Sequence, residues 1–261
     1  MTGWTAILLA GQRPGENTFA EAHGVRLKAL IPVAGTAMIE RVVQTLLAAR
    51  GIERIVILAQ DPETLLAALR PELRALPQLT GAVSGDGIAS SIAQILGTPT
   101  APFPVLVTTA DHALLTPIMV EEFLSGSDGG DATFAVVGRT IVEAAFPQTR
   151  RTWLRFGDGA YSGANLFALR TPAVHTALEH WSAIEKDRKK ALRLMLSFGP
   201  LLALRALTRT ISLDRALEKA GNRLGLVVRA VKLPFAEAAV DVDKEADLVL
   251  AEQILAQRVR E

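Results

Sequence analysis

Short, nearly continuous apolar runs alternate along this chain with stretches whose apolar positions recur at helical spacing. The first run, Thr5–Ala10 (TAILLA), leads into Gly11 and predicts a strand buried on both faces. Ile39, Val42, Val43, Leu46 and Leu47 then share one helical face. Further runs at Ile55–Ala59, Leu79–Ser84, Val105–Thr109, Ala132–Val137, Ala164–Leu169 and Leu226–Leu233 predict strands. Helices are expected over Pro62–Leu69, over Ile88–Leu96 and from Pro117, and a last one carries Leu248, Ala251, Leu255 and Val259 on one face. This alternation predicts an α/β fold: a three-layer, Rossmann-like, mainly parallel sheet.

The pattern changes after Gly126, where polar and basic sequence separates two strand runs. From Pro172 to Gly221 the composition is almost wholly helical, too long for a simple crossover. Residues 172–222 are therefore expected to be a helical insertion within a single domain spanning 1–261. No repeat and no separating linker is visible.

Composition narrows the possibilities. Hydrophobic residues make up 49% of 261, enough for a sizeable core. With 28 basic and 27 acidic residues the formal net charge is +1, without the basic excess expected of a nucleic-acid binder. Cysteine is absent, which removes disulfides, Cys-based zinc sites and a Cys nucleophile, and fits a cytoplasmic location. The N-terminal apolar run is short and has no basic residue before it, so it reads as a strand and not a signal peptide. No stretch is long enough to span a bilayer; Leu194–Leu204 is broken by Gly199-Pro200 and reads as a buried helix pair.

Five groups of residues could carry chemistry. Gly11 follows the first strand, where an open parallel sheet gathers its ligands, and Arg13 and Lys28 supply positive charge to the same loop. Taken alone, Gly11 fits an ordinary surface loop better, because a glycine after a strand is common. Asp111 ends the strand Val105–Thr109 and can hold a divalent metal or form a turn. Asp241 and Asp243 alternate along an extended segment; Asp241 is the metal candidate and Asp243 the expected cap of the last helix. Ser84–Ser91 opens a helix with glycines and hydroxyls that suit a nucleotide or simple capping. Arg150, Arg151 and Arg155, with Lys186, Arg188 and Lys189, could bind an anionic acceptor or form a solvated face. A serine hydrolase is not supported, because none of the four histidines accompanies a Gly-x-Ser-x-Gly elbow.

In order, LLAGQR at Leu8–Arg13, LKALIPVAGTAMIERVV at Leu27–Val43, Asp111, SGANLFAL at Ser162–Leu169 and VDVDKEADL at Val240–Leu248 resemble the MobA-like NTP transferases. These belong to the broader group of sugar-phosphate and alcohol-phosphate nucleotidyltransferases. The most specific segment is Lys28 followed by Leu30, Pro32, Gly35 and Met38. Gln12 stands where the family usually has a second glycine, and the loop to Lys28 is longer than usual.

The resemblance implies transfer of NMP from an NTP, CTP or GTP favoured, to a phosphorylated sugar, polyol or other alcohol, with release of pyrophosphate and a requirement for Mg²⁺ or Mn²⁺. It implies that Lys28, Arg13 and Asp111 carry the chemistry, and that Asp111 and Asp241 hold the metal. Leu9, Ala10, Gly11, Gln12, Gly85 and Ser90 would then contact the nucleotide, and Arg151, Arg155 and Asn165 the acceptor. The helical stretch would shape the acceptor pocket or a homodimer contact. Two rivals are a GT-A-type glycosyltransferase using a nucleotide-sugar, and a nucleotide-binding protein without catalytic activity.

Overall fold

The run Trp4–Leu9 (β1) alternates between two cores. Trp4, Ala6 and Leu8 point into one apolar cluster, while Ile7 points into another on the opposite face. Helices must therefore cover both faces of the sheet. A computed structural model describes this arrangement for residues 3–12, 18–85, 87–185 and 208–258.

After β1 come a short helix α1 (Thr18–Ala22), a 3₁₀ turn at Lys28–Leu30 and a small hairpin of β2 (Pro32–Val33) and β3 (Thr36–Ala37). The hairpin leads into α2 (Met38–Ala48). Next are β4 (Ile52–Ala59), α3 (Pro62–Ala68), α4 (Pro71–Arg74), β5 (Leu79–Val83) and α5 (Ile88–Ile95). Then follow β6 (Val105–Thr109), α6 (Pro117–Gly126), β7 (Ala132–Gly138) and α7 (Arg139–Ala145). The chain continues through β8 (Leu154–Phe156), β9 (Gly159–Leu169) and α8 (Val174–Glu185). It closes with α9 (Leu213–Leu224), β10 (Val228–Leu233) and α10 (Glu245–Arg258).

The described residues form one 8-stranded sheet in the order β10-β7-β9-β6-β1-β4-β5, with β8 paired to β9. β6, β1, β4 and β5 are mutually parallel, whereas β9 runs antiparallel to both β6 and β7. On one face α2 and α6 bury Ile39, Val43, Leu46, Val120 and Phe123 against β1 and β4; on the other α5 and α8 bury Ile92, Val174 and Leu178. Fully buried side chains such as Leu46 and Ile92 each contribute about 2 kcal/mol by leaving water. The expected three-layer, Rossmann-like, mainly parallel fold is what the chain adopts.

Local rules explain most element ends. Asp61 accepts the Thr64 amide at the start of α3, and Thr116 the Met119 amide at the start of α6. α9 begins at Ser212 and ends at Gly225, whose φ of 71° is the left-handed conformation that closes a helix.

Two places depart from expectation. β9 begins at Gly159, five residues before the apolar run that signalled it, because Tyr161, Ser162 and Gly163 pair with β7 despite their polar character. The polar stretch between the two strand runs holds α7, which buries only Val142, and the three-residue β8. Of the helical insertion, residues 186–207 lie outside the described residues, including Leu194–Leu204. Its described parts are not set apart: α8 packs on α5, and α9 packs beside β10.

Candidate active site

The carboxyl ends of β1, β4, β5 and β6 lie side by side, because these strands are parallel and in register. Leu9, Ala10, Gly11 and Gln12 leave β1 there, Gln60 leaves β4, Ser84 and Gly85 leave β5, and Asp111 follows β6. Leu9, Ala10, Gly11, Gln12, Lys28 and Asp111 line a small pocket at this edge.

Gln12 organises the loop. Its backbone N–H donates to Gln60 Oε1 at 3.0 Å, and its own side-chain Oε1 accepts the Lys28 backbone N–H at 3.0 Å. The residue that replaces a second glycine thus ties the end of β1 directly to the turn carrying Lys28. A Cβ at Gly11 would lie 3.2 Å from the Gln60 amide, so glycine gives this amide room beside the loop. Arg13 lies outside the described residues.

Lys28 sits between two carboxylates. Its Nζ lies 2.6 Å from Asp111 Oδ2 and also bonds Asp243 Oδ1. Burial alone would lower the ammonium, but Asp111 and then Asp243 outweigh it and hold the group above its ordinary value. Asp243 reaches this position because the Val242 N–H donates to the Asp111 carbonyl at 3.0 Å, docking the segment after β10 onto the loop after β6. Burial would raise the Asp243 carboxyl, but its bonds to Lys28 dominate and lower it.

The two neighbouring aspartates have different partners. Asp243 is not the helix cap: its side chain faces Lys28, and its backbone N–H instead donates to Asp247 Oδ2 at 3.4 Å. Asp241, the expected second metal ligand, is ion-paired with Arg151 Nη1. Burial, followed by the repulsion of Asp243, raises the Asp241 carboxyl against the pull of Arg151.

Arg151 is itself only 9% exposed and also approaches Asp247 Oδ1 at 3.5 Å, so its Nη1 and Nη2 both face carboxylates. Arg155 lies exposed on β8, without an ion-pair partner among the described residues. Asn165 occupies the irregularity in the β7–β9 pairing, with φ of 48°. Such bulges re-aim side chains beside active sites.

Two serines of the Ser84–Ser91 loop, Ser90 and Ser91, are spent on the loop itself. Ser91 Oγ accepts the Gly85 N–H at 2.8 Å and donates to the Gly87 carbonyl at 2.6 Å, and Ser90 Oγ donates to the same carbonyl at 3.1 Å. Asp86 lies outside the described residues.

Several buried polar atoms here have no partner among the described residues: Asp111 Oδ1, Ser84 Oγ, Thr109 Oγ1 and Arg151 Nε. Orphaned polar atoms this rare call for a ligand, water or ion. The donor set also fits a hard divalent cation, because Asp111 offers a free oxygen and Asp243 already shares a cation with it. Among the described residues no group of three potential ligands is assembled, so phosphate oxygens and water would complete the shell. His112, beside Asp111, is fully buried and pushed down to about 4 by desolvation, with the Asp111 charge and the Ala238 backbone offsetting only part of this. The sequence offered no signal for the Gln12 brace, the Lys28–Asp243 pair or the burial of His112.

Among the described residues no helix is long and apolar enough to cross a membrane. No curated protein matches the sequence at a significant level. The model of the MobA-like NTP transferase domain matches residues 7–196, so the match runs through α8, which the resemblance in the sequence did not cover.

A solved hypothetical transferase from Thermus thermophilus is 32% identical, with a TM-score of 0.78, over 94% of this chain and 99% of that one. The 4-diphosphocytidyl-2C-methyl-D-erythritol synthase of Anaerococcus prevotii has a TM-score of 0.59 at 10% identity, covering 98% and 96% of the two chains. A CMP:2-keto-3-deoxy-manno-octonic acid synthetase solved with CTP has a TM-score of 0.57 at 16% identity, covering 99% and 100%. The last two likenesses show the fold alone. With the matched domain spanning most of the chain, the protein belongs to the MobA-like NTP transferase family, a family of nucleotidyltransferases.

Proposed function

We propose that this protein is a metal-dependent nucleotidyltransferase that moves NMP from an NTP to a phosphorylated small-molecule acceptor. The observation that carries this reading is the Lys28 ammonium held between Asp111 and Asp243 at the mouth of the Gly11 loop. A cation framed by two carboxylates is the set of charges that a metal–triphosphate complex would exchange with. The phosphates would take Lys28, and Mg²⁺ or Mn²⁺ would take the carboxylates.

In the reaction, an oxygen of the acceptor phosphate attacks the α-phosphorus. A new P–O bond forms, and the bond to the oxygen bridging the β-phosphate breaks, so the electron pair leaves with pyrophosphate. An ionised phosphate needs no protein base, so positioning and charge neutralisation supply the catalysis. Lys28, with Arg13 from the same loop, would neutralise the departing pyrophosphate. Backbone groups of Ala10 and Gly11 would approach the nucleotide, with Leu9, Gln12, Gly85 and Ser90 around them. Asp111 and Asp243 would hold the metal with Asp241 beside them, and the bound ion would supply charge neutralisation at the phosphates. Arg155 and Asn165 are the acceptor-side contacts, with Arg151 fixing Asp241.

CTP or GTP is the favoured donor, and a synthetase of the same fold has been solved with CTP. The acceptor is an alcohol, sugar or polyol phosphate, and the chain acts as a single domain, with 172–222 inserted within it. Its setting is the cytoplasm, and the inserted stretch shapes the acceptor pocket or a homodimer contact.

The test is pyrophosphate release with each of four NTPs and a panel of sugar and polyol phosphates. Turnover with at least one pair, abolished by EDTA, is expected. Metal-dependent NTP binding without turnover would favour a non-catalytic nucleotide-binding role. Turnover of a nucleotide-sugar instead would indicate a glycosyltransferase.

A further inference from the structure

Beside the carboxylate cluster, but outside the pocket of Gly11 and Lys28, lies a cleft of about 540 Å³ between the segment after α7 and the first turns of α10. It shares no lining residue with that pocket. One wall is apolar, formed by Phe146, Leu250 and Val249, the last 45% exposed on a helix surface. Arg150 and Lys244 line the cleft from its two sides, and neither has an ion-pair partner among the described residues. Asp247 also lines it, but its carboxylate is engaged by Arg151 at 3.5 Å and by the Asp243 N–H at 3.4 Å. The Arg151–Asp247 contact is the partition between cleft and carboxylate cluster.

Clefts of a few hundred cubic ångströms that combine an apolar wall with a few convergent polar groups are the usual form of a small-ligand site. A guanidinium and an ammonium that line one cleft suit a phosphate dianion better than a single carboxylate. We infer that this cleft is a second ligand site for a small phosphomonoester with an apolar body, the phosphate held by Arg150 and Lys244 and the body lying on Phe146, Val249 and Leu250. The inference stands independently of nucleotidyl transfer. A phosphomonoester could be the acceptor itself or an effector that does not react, and both share this chemistry.

The test is calorimetric titration of the full-length protein with n-butyl phosphate and with inorganic phosphate, with and without saturating Mg²⁺ and CTP. Saturable binding of n-butyl phosphate is expected, tighter than that of inorganic phosphate and not displaced by CTP. The double variant R150A/K244A should weaken it about ten-fold or more with CTP binding unchanged. Val249→Asn should reduce only the preference over inorganic phosphate. Binding displaced by CTP, unchanged in R150A/K244A, or absent would overturn the inference.

Two kinetic arms then separate the sources. A raised KM for the acceptor in R150A/K244A identifies the acceptor, and a rate altered by n-butyl phosphate that is not itself consumed identifies an effector. Turnover failing with every NTP and acceptor would remove the transfer reading while leaving the binding result to decide the cleft.

Discussion

The Lys28 ammonium lies 2.6 Å from Asp111 Oδ2 and also bonds Asp243, so one side chain bridges both carboxylates. Lys28→Met therefore has two opposite consequences. It should lower kcat/KM for the NTP by about 10²–10³-fold, the usual loss for one preorganised cation at a developing charge. It should also tighten divalent-metal binding in the absence of nucleotide, since the competing cation is gone. Mn²⁺ titration followed by electron paramagnetic resonance reads the second effect; weaker Mn²⁺ binding in the variant would contradict this picture of the pair.

Gln12 is expected to act through Lys28. Gln12→Ala removes the acceptor of the Lys28 backbone N–H and should cost about 1 kcal/mol of stability. Because the turn carrying Lys28 is loosened, KM for the NTP should rise while kcat changes less. Gln12→Gly, which restores the usual family glycine, should behave like the alanine variant here, because the longer loop depends on the side chain. Steady-state kinetics with urea unfolding measures both.

His112 ties stability to pH. Burial lowers its folded-state pKa from 6.5 to about 4, so between those values the unfolded chain binds the extra proton and the folded one does not. Its contribution to stability is therefore intact above pH 6.5 and lost progressively as pH falls toward 4, by about 3 kcal/mol in total. In His112→Phe, unfolding free energies measured between pH 7 and 4 should fall less steeply than in the parent. Parallel slopes would show that His112 is not the group responsible.

Asn165 separates backbone from side-chain roles. Its φ of 48° is tolerated by asparagine and glycine and disfavoured for a β-branched residue, so Asn165→Val should lose about 1–2 kcal/mol. Asn165→Gly relieves the backbone and removes only the side chain. A rise in acceptor KM with an unchanged melting temperature in Asn165→Gly would assign the side chain to the acceptor; unchanged kinetics would leave the bulge a purely structural feature.

Much of the fold could be read from local pattern. Thr5–Ala10, Ile55–Ala59 and Val105–Thr109 are strands because their apolar runs must be buried on both faces, and that demand is written in consecutive residues. Leu226 was misread as strand, since its N–H closes α9 on the Gly221 carbonyl. α7 and β8 escaped notice because they bury too little to leave a periodic signal.

The candidate site divides along the same line. Lys28 and Asp111 stood out because each follows a recognisable local context, and Gly11 because it ends a strand. Which aspartate faces Lys28 and which pairs with Arg151 had no local signature. Asp241 and Asp243 are equivalent in an extended segment, and only the docking of that segment onto the Asp111 carbonyl orients them. Residue type and strand end were thus settled by short-range hydrophobic pattern. The choice of charge partners, across separations as long as that of Lys28 and Asp243, was settled by the packing that brings distant strand ends together.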